Sequence, residues 1–193
     1  MSTLTVKAIA APVGFDLVMP AGHIVQIVHN DSDTTPTTTS TSYVATGVNV
    51  SITPKHADSK FLISAMAWVG TRHEDIAAGF NFSDSLNGST TAIAPNATTG
   101  DGSNRFQAYG GKSTFAGSGA TGVNVDEYTV WAVPMTYLYT PSYQNTTART
   151  FEILWKNNYY GSAGLIILNM NKNEDTARDV RYRSSITVME VAG

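Results

Sequence analysis

The residues of this chain best suited to touch a ligand are tyrosines set among Asn, Gln and Gly. Tyr109 stands in QAYGG, and Tyr159-Tyr160 follow Lys156-Asn157-Asn158. An aromatic ring can lie against a sugar face while neighbouring amides bond its hydroxyls, so these three are the candidate glycan-binding residues. The ordinary alternative is packing in a core or at a hairpin edge, which takes most tyrosines. His73-Glu74-Asp75 offers imidazole and carboxylate ligands just after an apolar strand. His23 and His29 lie six residues apart, on the expected same face of the first strand. Read plainly, these are solvated turn residues and strand-end histidines, and neither a metal nor a cofactor is expected.

Catalysis has little to stand on. Glycoside hydrolysis needs two carboxyl groups roughly 5–9 Å apart across a bond. The acids here, among them Asp31, Asp33, Asp84 and Asp101, lie mostly in apparent loops, and no pair is marked out. There is no G-x-S-x-G elbow, H-E-x-x-H or P-loop, and Gly111-Lys112-Ser113 lacks the upstream glycine spacing. An enzyme is not expected.

Composition narrows the class further. The 193 residues are 42% hydrophobic but only 14% charged, well under the usual quarter, with Ser, Thr, Asn and Gly filling the gap. One domain of all-β type fits that mixture. A net charge of −3 and a pI near 5.7 give no reason to bind nucleic acid. Cysteine is absent, which excludes disulfides and thiolate metal sites. No apolar run nears the ~20 residues that span a bilayer, and the N-terminus lacks a signal-peptide pattern. A soluble chain without membrane insertion is expected. N-x-S/T triplets at Asn49, Asn81, Asn87, Asn96 and Asn145 reflect composition rather than glycosylation.

The elements that must position these residues read as strands. Residues 1–21 form an extended arm with two short apolar stretches, and residues 22–193 form a single domain. Gly22–Asn30 is a strand apolar on both faces, with Ile24 and Val28 opposite Val25 and Ile27, hence central or covered. The Thr-rich Asp31–Ser42 is a surface loop with no core role. Tyr43–Pro54 alternates, with Val44, Val48, Val50 and Ile52 inward. Lys60–Gly70 is a strand buried on both sides. Residues 77–95 form a hairpin turning at Asn87-Gly88. Asn96–Asp126, poor in apolar residues, is a long exposed excursion with one short candidate strand, Arg105–Gly110.

The centre of the chain is Glu127–Asn158, expected as a long antiparallel hairpin about Pro141–Thr147 with a bend at Pro134. Trp131, Val133, Met135 and Tyr137 share one face, and Phe151, Ile153 and Trp155 another, and together they would wall a core. Leu165–Leu168 is a short buried strand, Asn169–Arg178 a solvated loop and Arg181–Val191 the last strand. Eight to ten strands with frequent turns point to an antiparallel β-sandwich.

Four segments, in order, carry a resemblance. TSTSYVATGVNVSITPKHADSKFLISA (Thr39–Ala65) resembles a motif of tailed-bacteriophage fibre and virion-appendage proteins: a Thr/Ser-rich run, an alternating strand, Ser-Ile-Thr-Pro, then Ser-Lys and a second apolar strand. PMTYLYTPSYQNTTARTFEILWKNN, the terminal SSITVMEVAG and the opening STLTVKAI…MPAGHIVQIV are similar to other parts of such domains. The resemblance implies a virion structural protein, a jelly-roll-like sandwich assembled as a homotrimer, exposed on the particle and used in host attachment, with a host-surface glycan as the expected target. The arm 1–21 would anchor it to other virion proteins. Residues 1–21 hold no long repetitive or coiled-coil stretch of the kind a fibre shaft has, so a capsid decoration (cement) protein is the alternative location expected, and a lectin-like carbohydrate-binding module the alternative function.

Overall fold

A computed structural model describes residues 20–71, 77–95, 108–113, 130–157, 165–170 and 181–193. Every element among them is a strand, and there is no helix among the described residues. In chain order these are β1 (Ile24–Ser32), β2 (Thr37–Thr38), β3 (Val44–Ile52), β4 (Lys60–Thr71) and β5 (Ala77–Asp84), then β6 (Gly110–Ser113), β7 (Val130–Tyr139), β8 (Arg149–Asn157), β9 (Ile166–Leu168) and β10 (Ser184–Val191).

Two antiparallel sheets result, in a sandwich-like arrangement. The first, sheet A, runs β1-β10-β4-β7, with β9 and then β2 continuing beside the far end of β4. The second, sheet B, runs β3-β8-β5-β6. Period-two alternation turns one face of each sheet inward. Phe61, Ile63 and Val69 of β4 and Val133 and Met135 of β7 meet Phe80, Phe82, Phe151, Ile153 and Trp155 of sheet B in one buried cluster.

The expected central hairpin is corrected here. β7 and β8 do carry the predicted inward residues, but β7 pairs with β4 while β8 pairs with β3 and β5. Their apolar faces are opposite walls of the core, and residues 140–148 carry the chain from one sheet to the other. Nor is the pairing broken at Pro134, which lies opposite Met66 in an unshifted register. Among the described residues strand β7 has a ladder partner on one side, and an edge strand tolerates the missing N–H.

Strand β1 also differs from expectation. Among the described residues it is the edge of sheet A, paired with β10, and a register shift between Ile24 and Gln26 disturbs its alternation. Ile24 thereby falls opposite Val191 and Ile27 opposite Met189. Both isoleucines are exposed, at 50% and 56%. The Thr-rich loop contributes more than expected, since Thr37-Thr38 pairs with Ile166-Ile167 of β9. Asn169, placed in a solvated loop by its polar neighbours, is wholly buried. Strand β3 alternates as predicted but with an irregularity between Ala45 and Asn49, where Glu152 accepts a hydrogen bond from the Gly47 N–H. The Asn87-Gly88 turn is present, with Gly88 at φ 111° and bridged to Asp84. Its return arm is no full strand, and follows β5 through the Ile93 N–H donating to Phe82 O.

Candidate functional site

Tyr109 stands where the sandwich closes on one side. Its backbone N–H donates to Phe80 O, which leads the chain into β6 beside β5. Its ring lies edge-on to Tyr137 at 5.5 Å between centroids and tilted against Phe82 at 6.1 Å, and its hydroxyl donates to Thr136 O on β7. Burial, and then Tyr137, raise its phenol pKa above 10.0. The next two residues must be glycine. A Cβ on Gly110 would sit 2.8 Å from Met135, and one on Gly111 would sit 2.7 Å from the Ala78 carbonyl oxygen. Tyr109 thus has a packing role, with its ring and hydroxyl engaged in joining β6 to β7. Tyr159, Tyr160, His73, Glu74 and Asp75 lie outside the described residues, as do residues 1–19 and most of the 96–126 excursion.

The two histidines do not form a pair on one strand. His23 precedes β1, in the turn where its Nδ1 contacts Pro20 O, whereas His29 is on β1 and bonded to the Thr187 hydroxyl at 2.8 Å. Among the described residues, no group of three or more His, Asp or Glu is placed to hold a metal ion.

Buried polar groups join the elements, and sequence reasoning missed most of them. Glu190 is fully buried and accepts from Ser59 Oγ (2.6 Å), Gln26 Nε2 (2.5 Å) and the backbone N–H groups of Lys55 (2.7 Å) and His56 (3.2 Å). Burial pushes its carboxyl up, but the four hydrogen bonds together outweigh burial and hold the pKa below 4.5. Gln26 also donates to Thr53 O, and Asn30 to Asn49 O, so side chains of β1 stitch it to β3 and close the second side of the sandwich.

At one end of the core Arg149 and Asp84, both about 1% exposed, are 3.0 Å apart. The guanidinium lies over Phe61 at 5.1 Å and donates to Tyr143 O in the crossover. Burial, then the Asp84 charge, push the neighbouring Tyr139 phenol up to about 12. Asp84, expected in a loop, ends β5 instead. Asn169, at φ 64°, donates through Nδ2 to Ser32 O and Thr34 O and accepts from Ser184 Oγ, tying β9, β10 and the loop after β1 together.

A signal for two of these was present. Glu190 continues the inward series Ile186, Val188, and Arg149 begins the inward series Phe151, Ile153, Trp155. A charged residue on the inward parity of an apolar strand must find partners in the core.

The outer face of sheet A is of another kind. Residues directly opposite one another across strands point to the same side. The registers Ile27↔Met189, Met189↔Leu62 and Leu62↔Leu138 therefore make one apolar row across four strands. Ile24 and Val191 extend it on one flank. On the other runs a polar row, His29, Thr187, Ser64 and Thr136. Leu138 is 52% exposed, alongside the two exposed isoleucines. Beyond the polar row, Trp68 stacks on Tyr182 at 4.7 Å, and Arg183 holds Asp31 (2.6 Å) and Asp33 (2.9 Å) in exposed ion pairs.

This geometry suits packing against another surface and, among the described residues, offers no poised catalytic pair. Neither a protein-family model nor a curated protein matches the chain.

Proposed function

We propose that this chain is a non-enzymatic structural protein of a tailed-bacteriophage particle, a fibre or appendage domain that is exposed on the virion and serves host attachment. The observation that supports it most is the strand order. Eight of the strands fall into two rows of four, β1-β10-β4-β7 and β3-β8-β5-β6. Followed through these eight, the chain changes sheet from β1 to β3, β3 to β4, β4 to β5, β6 to β7, β7 to β8 and β8 to β10. That alternation fits the double-sheet winding of a jelly roll, an architecture used by viral coat and lectin domains. We read the fold as jelly-roll-like on this ground, and the virion role on the order of the four similar segments. The expected assembly is a homotrimer, with residues 1–21 contacting other virion proteins.

The absence of enzymatic activity belongs to the same reading. Five carboxylates among the described residues are engaged structurally: Asp31 and Asp33 by Arg183, Asp84 by Arg149, Glu152 by the Gly47 N–H, and Glu190 by its four donors. A host-surface glycan is the expected target, and Tyr109 contributes to it only if its ring can leave Tyr137 and Phe82.

Electron cryo-microscopy of the purified particle tests the reading, with this chain located and its copies counted. A few trimers at the tail or its collar are expected. Copies spread over the head would assign it to capsid decoration instead, and absence from the particle would remove both.

A further inference from the structure

We infer that the apolar row on the outer face of sheet A is a self-association surface, occupied by a second copy of this chain. The inference rests on the structural role proposed above, not on its three-fold assembly, and names the face through which two copies meet.

Three observations carry it. The first is extent. Three half-exposed side chains and three partly buried ones present on the order of 400 Å² of apolar surface, the size of the largest patch on a typical monomer. That is about half of the ~800 Å² each partner contributes to a stable complex, and the adjoining row of hydroxyls can supply the remainder.

The second is charge. Between Lys60 at one end and the Asp31–Arg183–Asp33 cluster at the other, the outward positions of β1, β10, β4 and β7 carry no Asp, Glu, Lys or Arg. An anionic membrane or nucleic acid would find no row of cations here, and a charged polypeptide would leave its charges unpaired. A copy of the same face meets no like-charge repulsion. With a two-fold axis parallel to the strands, Ile27 would oppose the partner's end of the row at Leu138, Met189 would oppose Leu62, and the hydroxyl rows would coincide. Such a contact is self-complementary, as closed symmetry requires.

The third is the edge. The free side of β1 is already engaged, through Gln26 to Thr53 and Asn30 to Asn49. With β3 lying along that side of β1, the outer face is where Ile24 and Ile27 can be buried.

The chain lacks cysteine, so Ile27→Cys in the full-length protein gives a single labelling site. Its maleimide reaction is followed across a concentration series, with mass measured by sedimentation equilibrium. The expected result is a multimer whose introduced thiol labels at least about tenfold more slowly above the association midpoint than below it, a change worth ~1.4 kcal/mol or more. Ile27→Asp with Leu138→Asp should then be monomeric, with the thermal midpoint that the parent shows below its association midpoint. A two-copy mass with a protected thiol keeps this inference and overturns the three-fold reading. A monomer that labels fast at every concentration overturns the inference. So does a monomer protected independently of concentration, which would place residues 1–19 over the face. A multimer that survives both aspartates assigns association to another surface and overturns the inference as well.

Discussion

The two outer faces of this sandwich differ although both sheets alternate in the same way. On sheet B the face is covered by its own chain. Leu154, opposite Asn81, is fully buried, and Asn81 bonds Ala94 twice, accepting from its N–H at 3.1 Å and donating to its oxygen at 3.0 Å. On sheet A the corresponding positions hold Leu62, Met189 and Ile27, and among the described residues no segment is pinned above them by such a pair of bonds. An apolar side chain on an outer face is therefore ambiguous by itself. What distinguishes Leu154 from Leu62 is whether a neighbouring segment is held over it, and on sheet B one buried asparagine does the holding.

The largest expected effect abolishes both faces together, since they are opposite sides of one core. Asp84→Ala leaves Arg149 charged and buried, and should destabilise by about 3–5 kcal/mol in a denaturant titration. Asp84→Leu with Arg149→Met, which removes both charges, should recover much of that loss.

Next comes a direct contrast of the faces. Leu154→Ala should cost about 3 kcal/mol as a filled site is emptied. Leu62→Ala should cost less, about 1–2 kcal/mol for the monomer, because its side chain is only partly buried. Equal losses would show that the face of sheet A is covered as well. Asn81→Ala should lower stability by about 2–3 kcal/mol, through the Ala94 N–H and C=O it leaves unpaired, and should leave association unchanged.

The pH response sharpens the contrast, because Glu190 holds β1, which carries Ile24 and Ile27. Its folded pKa lies below the ordinary 4.5, so the folded state binds the proton more weakly than the unfolded one. Its contribution is fully present above about pH 4.5 and is lost as pH falls through the depressed folded value. Glu190→Gln should therefore cost about 2 kcal/mol at neutral pH, with the gap to the parent closing in acid. Protection of β1 amides from hydrogen exchange, relative to their intrinsic rates at each pH, should fall before that of β5 as the medium is acidified. The smallest expected effect on stability is that of Ile27→Asp, within about 0.5 kcal/mol for the monomer, and light scattering should show it as a loss of mass.

Much of the sheet structure was legible because it depends on local alternation. The inward sets of β3, β4, β7, β8 and β10 follow from period two alone. The Asn87-Gly88 turn follows from the positive φ its glycine supplies. The pairing of those strands was not legible. Adjacent β7 and β8, joined by turn-forming residues, have the signature of a hairpin, and no local property distinguishes a hairpin from a crossover between sheets. The surroundings of the candidate site were less legible. Tyr109 has the neighbours of a sugar-binding ring, yet its ring is taken up by Tyr137 and Phe82, residues distant in sequence. Glu190 and Asn169 looked like ordinary polar residues because their partners come from remote segments.

By itself the sequence determined the class: few charges, no cysteine, and apolar residues at strand spacing make an all-β chain with one core. Tertiary structure alone decided which strands became neighbours, which polar residues were buried and which apolar face stayed open. Alternation fixes the two sides of a strand. Only the packing of distant segments fixes what each side meets.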